Sequence, residues 1–122
     1  MTWIAVAAGG ALGSVARHGV NILIGRIAHR PLPYATAAVN LAGCAVIGVL
    51  AGLIASNRLA LSPAARTFVF VGVLGGFTTF SSFGLDTFTL AREGGYAWAL
   101  NVAVQVGLGL LAVAIGFRAG AA

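Results

Sequence analysis

The sequence predicts an all-α integral membrane protein of four transmembrane helices, the third broken near its middle. Three observations predict it. Of 122 residues, 60% are hydrophobic and 7% charged, with a mean hydropathy of +1.02. A soluble domain of this length could neither hide so much apolar surface nor clothe itself with so few charges. The apolar residues also fall into four runs, each near the roughly 20 residues that cross a bilayer, with no room between them for a soluble domain. The third run contains Gly75-Gly76-Phe77-Thr78-Thr79-Phe80-Ser81-Ser82-Phe83. A lipid-facing helix has no use for that mixture, because paired glycines weaken a helix and freed backbone survives at membrane depth only inside protein or beside water.

Taken in order, the first run covers about residues 2–25 and is interrupted by Arg17. It lacks a preceding basic region and is too long for the apolar core of a signal peptide. The second covers about residues 33–55 and carries no charge; Pro31 and Pro33 mark its start. Cys44 within it can form no internal disulfide, being the single cysteine, and reads as a packing residue. The third covers about residues 64–91, entered through Ser62-Pro63, an N-cap followed by proline at the first helical position. Asp86 lies towards its far end, and Arg92-Glu93-Gly94-Gly95 reads as a tight turn. The fourth covers about residues 95–117, again uncharged. Together these make one domain over residues 1–122. Small residues at close helical spacing (Gly9 and Gly13, Gly48 and Gly52, then Gly107, Gly109 and Gly116) let backbones approach closely, within one chain or between two.

All seven basic residues are arginine, scattered singly and, Arg17 apart, at the ends of the runs, which is a topological pattern rather than a nucleic-acid footprint. Arg26, Arg30 and Arg92 fall on one side of the membrane, and Arg58, Arg66 and Arg118 on the other. Three against three gives no inside bias, as expected of a chain that inserts in both orientations.

The polar groups inside the runs set the chemistry. Beyond the glycines, helical spacing lays an aromatic stripe (Phe77, Phe80, Phe83) beside a hydroxyl stripe (Thr79, Ser82). Arg17, midway along the first run, costs roughly 2.5 kcal/mol or more to insert, so it snorkels, pairs with a carbonyl or faces a wet vestibule. His18 beside it falls on another face and reads as interfacial. Asn40 must find a partner in the second run and can donate two hydrogen bonds; Asn101 and Gln105 form a second polar stripe four residues apart. Apart from Asp86 the runs hold no carboxylate, whereas a cation or proton path usually needs one at depth. Neutral donors and ring edges suit a small hard anion. No nucleophile, base and orienting group can be assembled, so the chain is not expected to be an enzyme.

Four segments carry a resemblance: Gly9-Gly10-Ala11-Leu12-Gly13-Ser14-Val15-Ala16-Arg17, Val39-Asn40-Leu41-Ala42-Gly43, the stretch from Gly75 to Phe83, and Arg92-Glu93-Gly94. Along nearly its whole length the chain resembles the CrcB/Fluc family of bacterial fluoride channels. That resemblance implies an antiparallel, dual-topology homodimer in the cytoplasmic (inner) membrane, with some members pairing as heterodimers of paralogues. It implies passive, selective fluoride export that lowers cytoplasmic fluoride. It further implies a structural, untransported sodium ion at the dimer centre, held by the backbone carbonyls of Gly75 and Thr78. Phe80 and Phe83 would offer ring edges to fluoride, Asn40 a donor beside them, Thr79 and Ser82 a polar track, and Arg17 a vestibule charge. The fourth run departs: family members often have tyrosine and serine where Asn101 and Gln105 stand.

Two other readings compete. A proton-coupled exporter of the small multidrug-resistance type needs an acidic residue in the first run, and residues 1–25 contain none. A non-transporting membrane scaffold explains the glycines but leaves the hydroxyl and phenylalanine stripes without a purpose.

Overall fold

A computed structural model describes residues 1–29 and 32–122; Arg30 and Pro31, both used in the sequence reading, lie outside the described residues. Four helices follow one another: α1 (Thr2–Ile27), α2 (Tyr34–Ala55), α3 (Pro63–Glu93) and α4 (Ala97–Ala121). The last three are long and apolar enough to cross a membrane. α1 is also long, at 26 residues, but Arg17, His18 and Arg26 dilute its hydropathy. α3 is broken at Thr78–Thr79 into a first arm, residues 63–77, and a second arm, Phe80–Glu93.

Local chemistry explains the ends. Ser62 Oγ accepts the Ala65 N–H at 3.2 Å, with Pro63 opening α3 as expected. Gly94 and Gly95 turn the chain between α3 and α4 at φ of 86° and 81°, a region closed to most side chains. At the carboxyl end of α4, Arg58 Nη1 and Ser56 Oγ both donate to Gly120 O, at 3.3 and 3.4 Å. The last turn's carbonyls therefore gain both donors and a positive charge.

The helices associate as two parallel pairs. α1 lies along the first arm of α3 and α2 along α4. Lipid offers no hydrophobic drive between helices, so close backbone packing has to supply the attraction. A Cβ on Gly9 would sit 2.9 Å from Gly72 Cα, and one on Gly76 would sit 2.7 Å from Gly10 O. Gly48 and Gly52 meet Val113, Phe117 and Gly120, while a Cβ on Gly116 would lie 3.0 Å from Val49 N. Gly43 takes the Thr78 methyl against its backbone and so ties the two pairs together at the break. Gly107 meets open space.

The interior is more polar than that of a soluble protein. Val39, Leu74 and Leu90 are the buried apolar side chains among the described residues, and Thr79, Asn101 and Gln105 are as deeply buried. Wide π-type turns run through Thr67–Leu74 and Ala103–Leu108, just before the break in α3 and around Gln105. Such turns re-aim side chains and cluster at functional sites.

Gly72→Val should force α1 away from α3 and destabilise the fold by about 2 kcal/mol. Gly25→Ala meets nothing within 4 Å and should be neutral. Thermal unfolding of the two variants in detergent checks the difference.

Candidate functional site

The break in α3 does not lie at the glycines. Gly75 and Gly76 stay helical, and the chain departs at Thr78 (φ −83°, ψ 162°) and Thr79 (φ −153°, ψ 110°). Gly76 serves the close approach to α1, while the threonines make the break. Thr78 Oγ1 donates back to Leu74 O at 2.9 Å, closing the first arm. Thr79 caps the second arm, its Oγ1 accepting the Ser82 N–H at 3.2 Å. Phe77 thus ends the first arm and leaves the aromatic stripe expected of it. Phe80 and Phe83 stay together on the second arm, ring centroids 5.5 Å apart and planes tilted by 44°.

The break frees two carbonyls in particular. In an unbroken helix Gly75 O would accept from the Thr79 N–H, and Thr78 O from the Ser82 N–H. The Thr79 N–H goes instead to Asn40 Oδ1 at 2.8 Å, and the Ser82 N–H to Thr79 Oγ1. Thr78 O receives Arg17 Nη1 at 3.4 Å, so Arg17 pairs with a carbonyl, one of the outcomes its sequence position allowed.

From Asn40 a relay of side chains runs across the interior to the second arm of α3. Asn40 Nδ2 donates to Thr79 O at 3.1 Å and to Gln105 Oε1 at 2.7 Å. Gln105 Nε2 donates to Asn101 Oδ1 at 2.8 Å, and Asn101 Nδ2 to Thr87 Oγ1 at 2.9 Å. Thr87 Oγ1 donates to Phe83 O at 2.7 Å. A backbone N–H can only donate, so the Thr79 N–H fixes which end of the Asn40 amide faces it. That choice in turn fixes Gln105 and Asn101. Asn40 therefore grips both the N–H and the C=O of Thr79, a two-bond clasp on the extended residue.

Two cavities meet at Thr79. One, of about 370 Å³, is mostly apolar; Phe80, Phe83, Asn40, Gln105 and Thr78 are among its walls. The other, of about 380 Å³, is polar and bounded by Ser14, Arg17, His18, Asn21, Ser81 and Ser82, with Thr36. Both include Thr79 in their lining. Thr79 Oγ1 donates to Ser82 Oγ at 3.0 Å, so hydroxyls continue from one cavity into the next.

Asn40, Thr79, Phe80 and Phe83 come together at the first cavity, while Arg17 and Ser82 line the second. Gly75 and Thr78 border the first cavity at the break. His18, expected on another face from Arg17, is exposed and lines the same polar cavity. Sequence reasoning passed over Ser14, Asn21, Thr36 and Thr87. The spacing of Ser14, Arg17, His18 and Asn21 at three and four residues was a usable signal for one face of α1. Asp86 sits apart, lining a separate cavity with Glu93 and Pro33.

Asn40→Leu keeps the side-chain volume and strands the Thr79 N–H and C=O. It should cost about 2 kcal/mol or more. Thermal unfolding in detergent reads this directly, and an unchanged midpoint would show that the clasp does not hold the break.

Comparison with known proteins identifies the family. The family model described as "CrcB-like protein, Camphor Resistance (CrcB)" matches residues 4–117. A fluoride-specific ion channel FluC of Paracoccus denitrificans is 49% identical over 121 residues, covering 98% of this chain and 94% of the relative. The Nitrobacter winogradskyi protein of the same description is 47% identical over 116 residues, covering 93% and 90%. That of Aeromonas salmonicida is 40% identical over 118 residues, covering 96% and 94%. The resemblance read from four short segments thus extends across both helix pairs, and this multi-pass membrane protein belongs to the CrcB-like protein family.

Proposed function

We propose that this chain forms a fluoride-selective channel through which fluoride leaves the cytoplasm passively across the bacterial inner membrane, lowering its cytoplasmic concentration. The observation that carries the reading is the interior polar thread. Amides and hydroxyls run from the Arg17 cavity past Thr79 to the paired rings of Phe80 and Phe83, with no carboxylate along them. Neutral donors and the positive rims of aromatic rings stabilise an anion, and a cation would find no fixed countercharge there. The relatives' common description as fluoride-specific channels selects fluoride among the small anions. Fluoride holds its water tightly, so a conducting path must replace hydration with close donors, and a narrow one excludes chloride.

In this reading Arg17 draws the anion into the polar cavity. Ser82 and Thr79 pass it along their hydroxyls, and Phe80 and Phe83 present ring edges at the constriction. Asn40 keeps Thr79 extended so that the hydroxyls and rings face one route. The working unit is an antiparallel homodimer. In support, Phe80 is 82% exposed on a single chain although it lines the cavity, a face that a second copy would cover.

The same pairing accounts for a structural sodium ion. The carbonyls of Gly75 and Thr78 lack their helical donors and are hard oxygen ligands, which suits sodium. Two oxygens from one chain are too few for such a cation, and two copies would double them. Thr78 O also holds Arg17 in a long contact, and its second lone pair leaves room for both. When bound, the ion would supply fixed positive charge between the copies and join them; it is not transported.

Liposomes containing the purified protein should release fluoride rapidly and retain chloride, as read by ion-selective electrodes. Phe80→Ile should fold normally and lose fluoride release by tenfold or more. Wild-type protein that folds but releases no fluoride would sink the channel reading. Replacing sodium by N-methylglucamine should lower the thermal midpoint of the dimer, and an identical midpoint would remove the sodium site.

A further inference from the structure

The polar cavity holds a titratable side chain, His18, that the channel reading leaves without a task. It lies on α1 with Ser14, Arg17 and Asn21; α2 contributes Thr36 to the lining, and α3 contributes Thr79, Ser81 and Ser82. Among the described residues, the hydrogen bonds made here belong to Arg17, which reaches Thr78 O, and to the hydroxyls of Thr79, Ser81 and Ser82. Ser14, His18 and Asn21 are exposed on the single chain, and their spacing puts them on one face of α1. His18 stands nine residues before the end of α1 at Ile27, about 13 Å along the helix. A polar group at that depth cannot be left against hydrocarbon. A wet cavity is the setting it requires, and about 380 Å³ has room for several water molecules. The charged surroundings of His18 are simple. Arg17 is the one other charged or titratable residue in the lining, α2 and α3 present only neutral hydroxyls, and Asp86 and Glu93 border a different cavity.

We propose that His18 is a proton-responsive charge at the mouth of the anion path: a proton on its imidazole places a second cation beside Arg17 and raises the supply of fluoride to Thr79. The proposal rests on the channel reading above and adds regulation to it. A histidine ordinarily changes charge between about pH 5 and 8. The cation is present at the acid end of that range and lost at the alkaline end, so conduction falls as pH rises. Arginine keeps its charge throughout, so Arg17 supplies the constant part of the attraction and His18 the variable part. The Arg17 guanidinium is also partly committed to Thr78 O, whereas the His18 ring takes part in none of the bonds that hold the break. With no carboxylate in the lining, nothing there neutralises the added charge. In a wet cavity the attraction is modest and salt-sensitive, so protonation grades the flow rather than switching it.

The test reads the fluoride current of single channels in planar bilayers, with both sides at about pH 6 and then at about pH 8. Neutral hydrogen fluoride carries no current and cannot imitate the effect. Wild type should pass about threefold more current at the acid pH. Added impermeant electrolyte should shrink that ratio. His18→Gln stays polar but cannot take up charge, and its two currents should agree. His18→Lys is charged at both pH values, so its currents should also agree and should exceed those of His18→Gln. His29→Gln removes the other histidine, which lies beyond the end of α1, and should keep the wild-type ratio. Equal wild-type currents at the two pH values, or an undiminished ratio in His18→Gln, would overturn the proposal and leave the channel reading intact. A wild type that passes no fluoride current at either pH would instead overturn the channel reading and this proposal with it.

Discussion

In hydrocarbon there is no water to satisfy a free backbone group, so each peptide group released by interrupting a helix must find a partner inside the protein. The interruption of α3 at Thr78–Thr79 sets that requirement, and much of the interior answers it. Asn40 enters from α2 to take both polar groups of Thr79. Thr79's own hydroxyl takes the next orphan N–H, that of Ser82. Arg17 enters from α1 to reach Thr78 O. Three helices are thereby tied to one two-residue break, and α4 joins through Gln105.

The glycine contacts make these reaches possible. Gly9 against Gly72 and Gly10 against Gly76 bring α1 close enough for Arg17 to touch the break. Gly48, Gly52, Gly116 and Gly120 do the same for α2 and α4, so that Asn40 and Gln105 face each other at 2.7 Å. Backbone proximity and buried polarity are therefore one design. A bulky residue at a helix crossing would disturb the hydrogen bonds as well as the packing.

Much of this was legible in the sequence. The all-helical membrane fold and the broken third helix followed from hydropathy and from the odd composition of residues 75–83. The family followed from four short segments and holds over residues 4–117. The location of the break did not follow, because paired glycines are ambiguous. They weaken a helix, and they also admit a neighbouring backbone, which is what Gly76 does against Gly10. Thr78 and Thr79 break the helix through side-chain hydrogen bonds that compete with the backbone ladder, a property that spacing alone does not reveal. The link from Asn40 to Gln105 was hidden for a different reason. It joins residues 65 apart whose levels on α2 and α4 are set by the helix crossing. His18 was assigned away from the site because adjacent residues on a helix diverge, yet the polar cavity is broad enough to hold both it and Arg17.

The amide relay has a fixed sense, since every bond from Asn40 to Thr87 donates away from the break. A single copy is therefore electrically lopsided along its interior, and a lone channel of this kind would pass current more easily in one direction. In the antiparallel pair proposed above, the second relay points the opposite way. In that pair the two lopsided halves would cancel, giving a symmetric conductor with no built-in rectification.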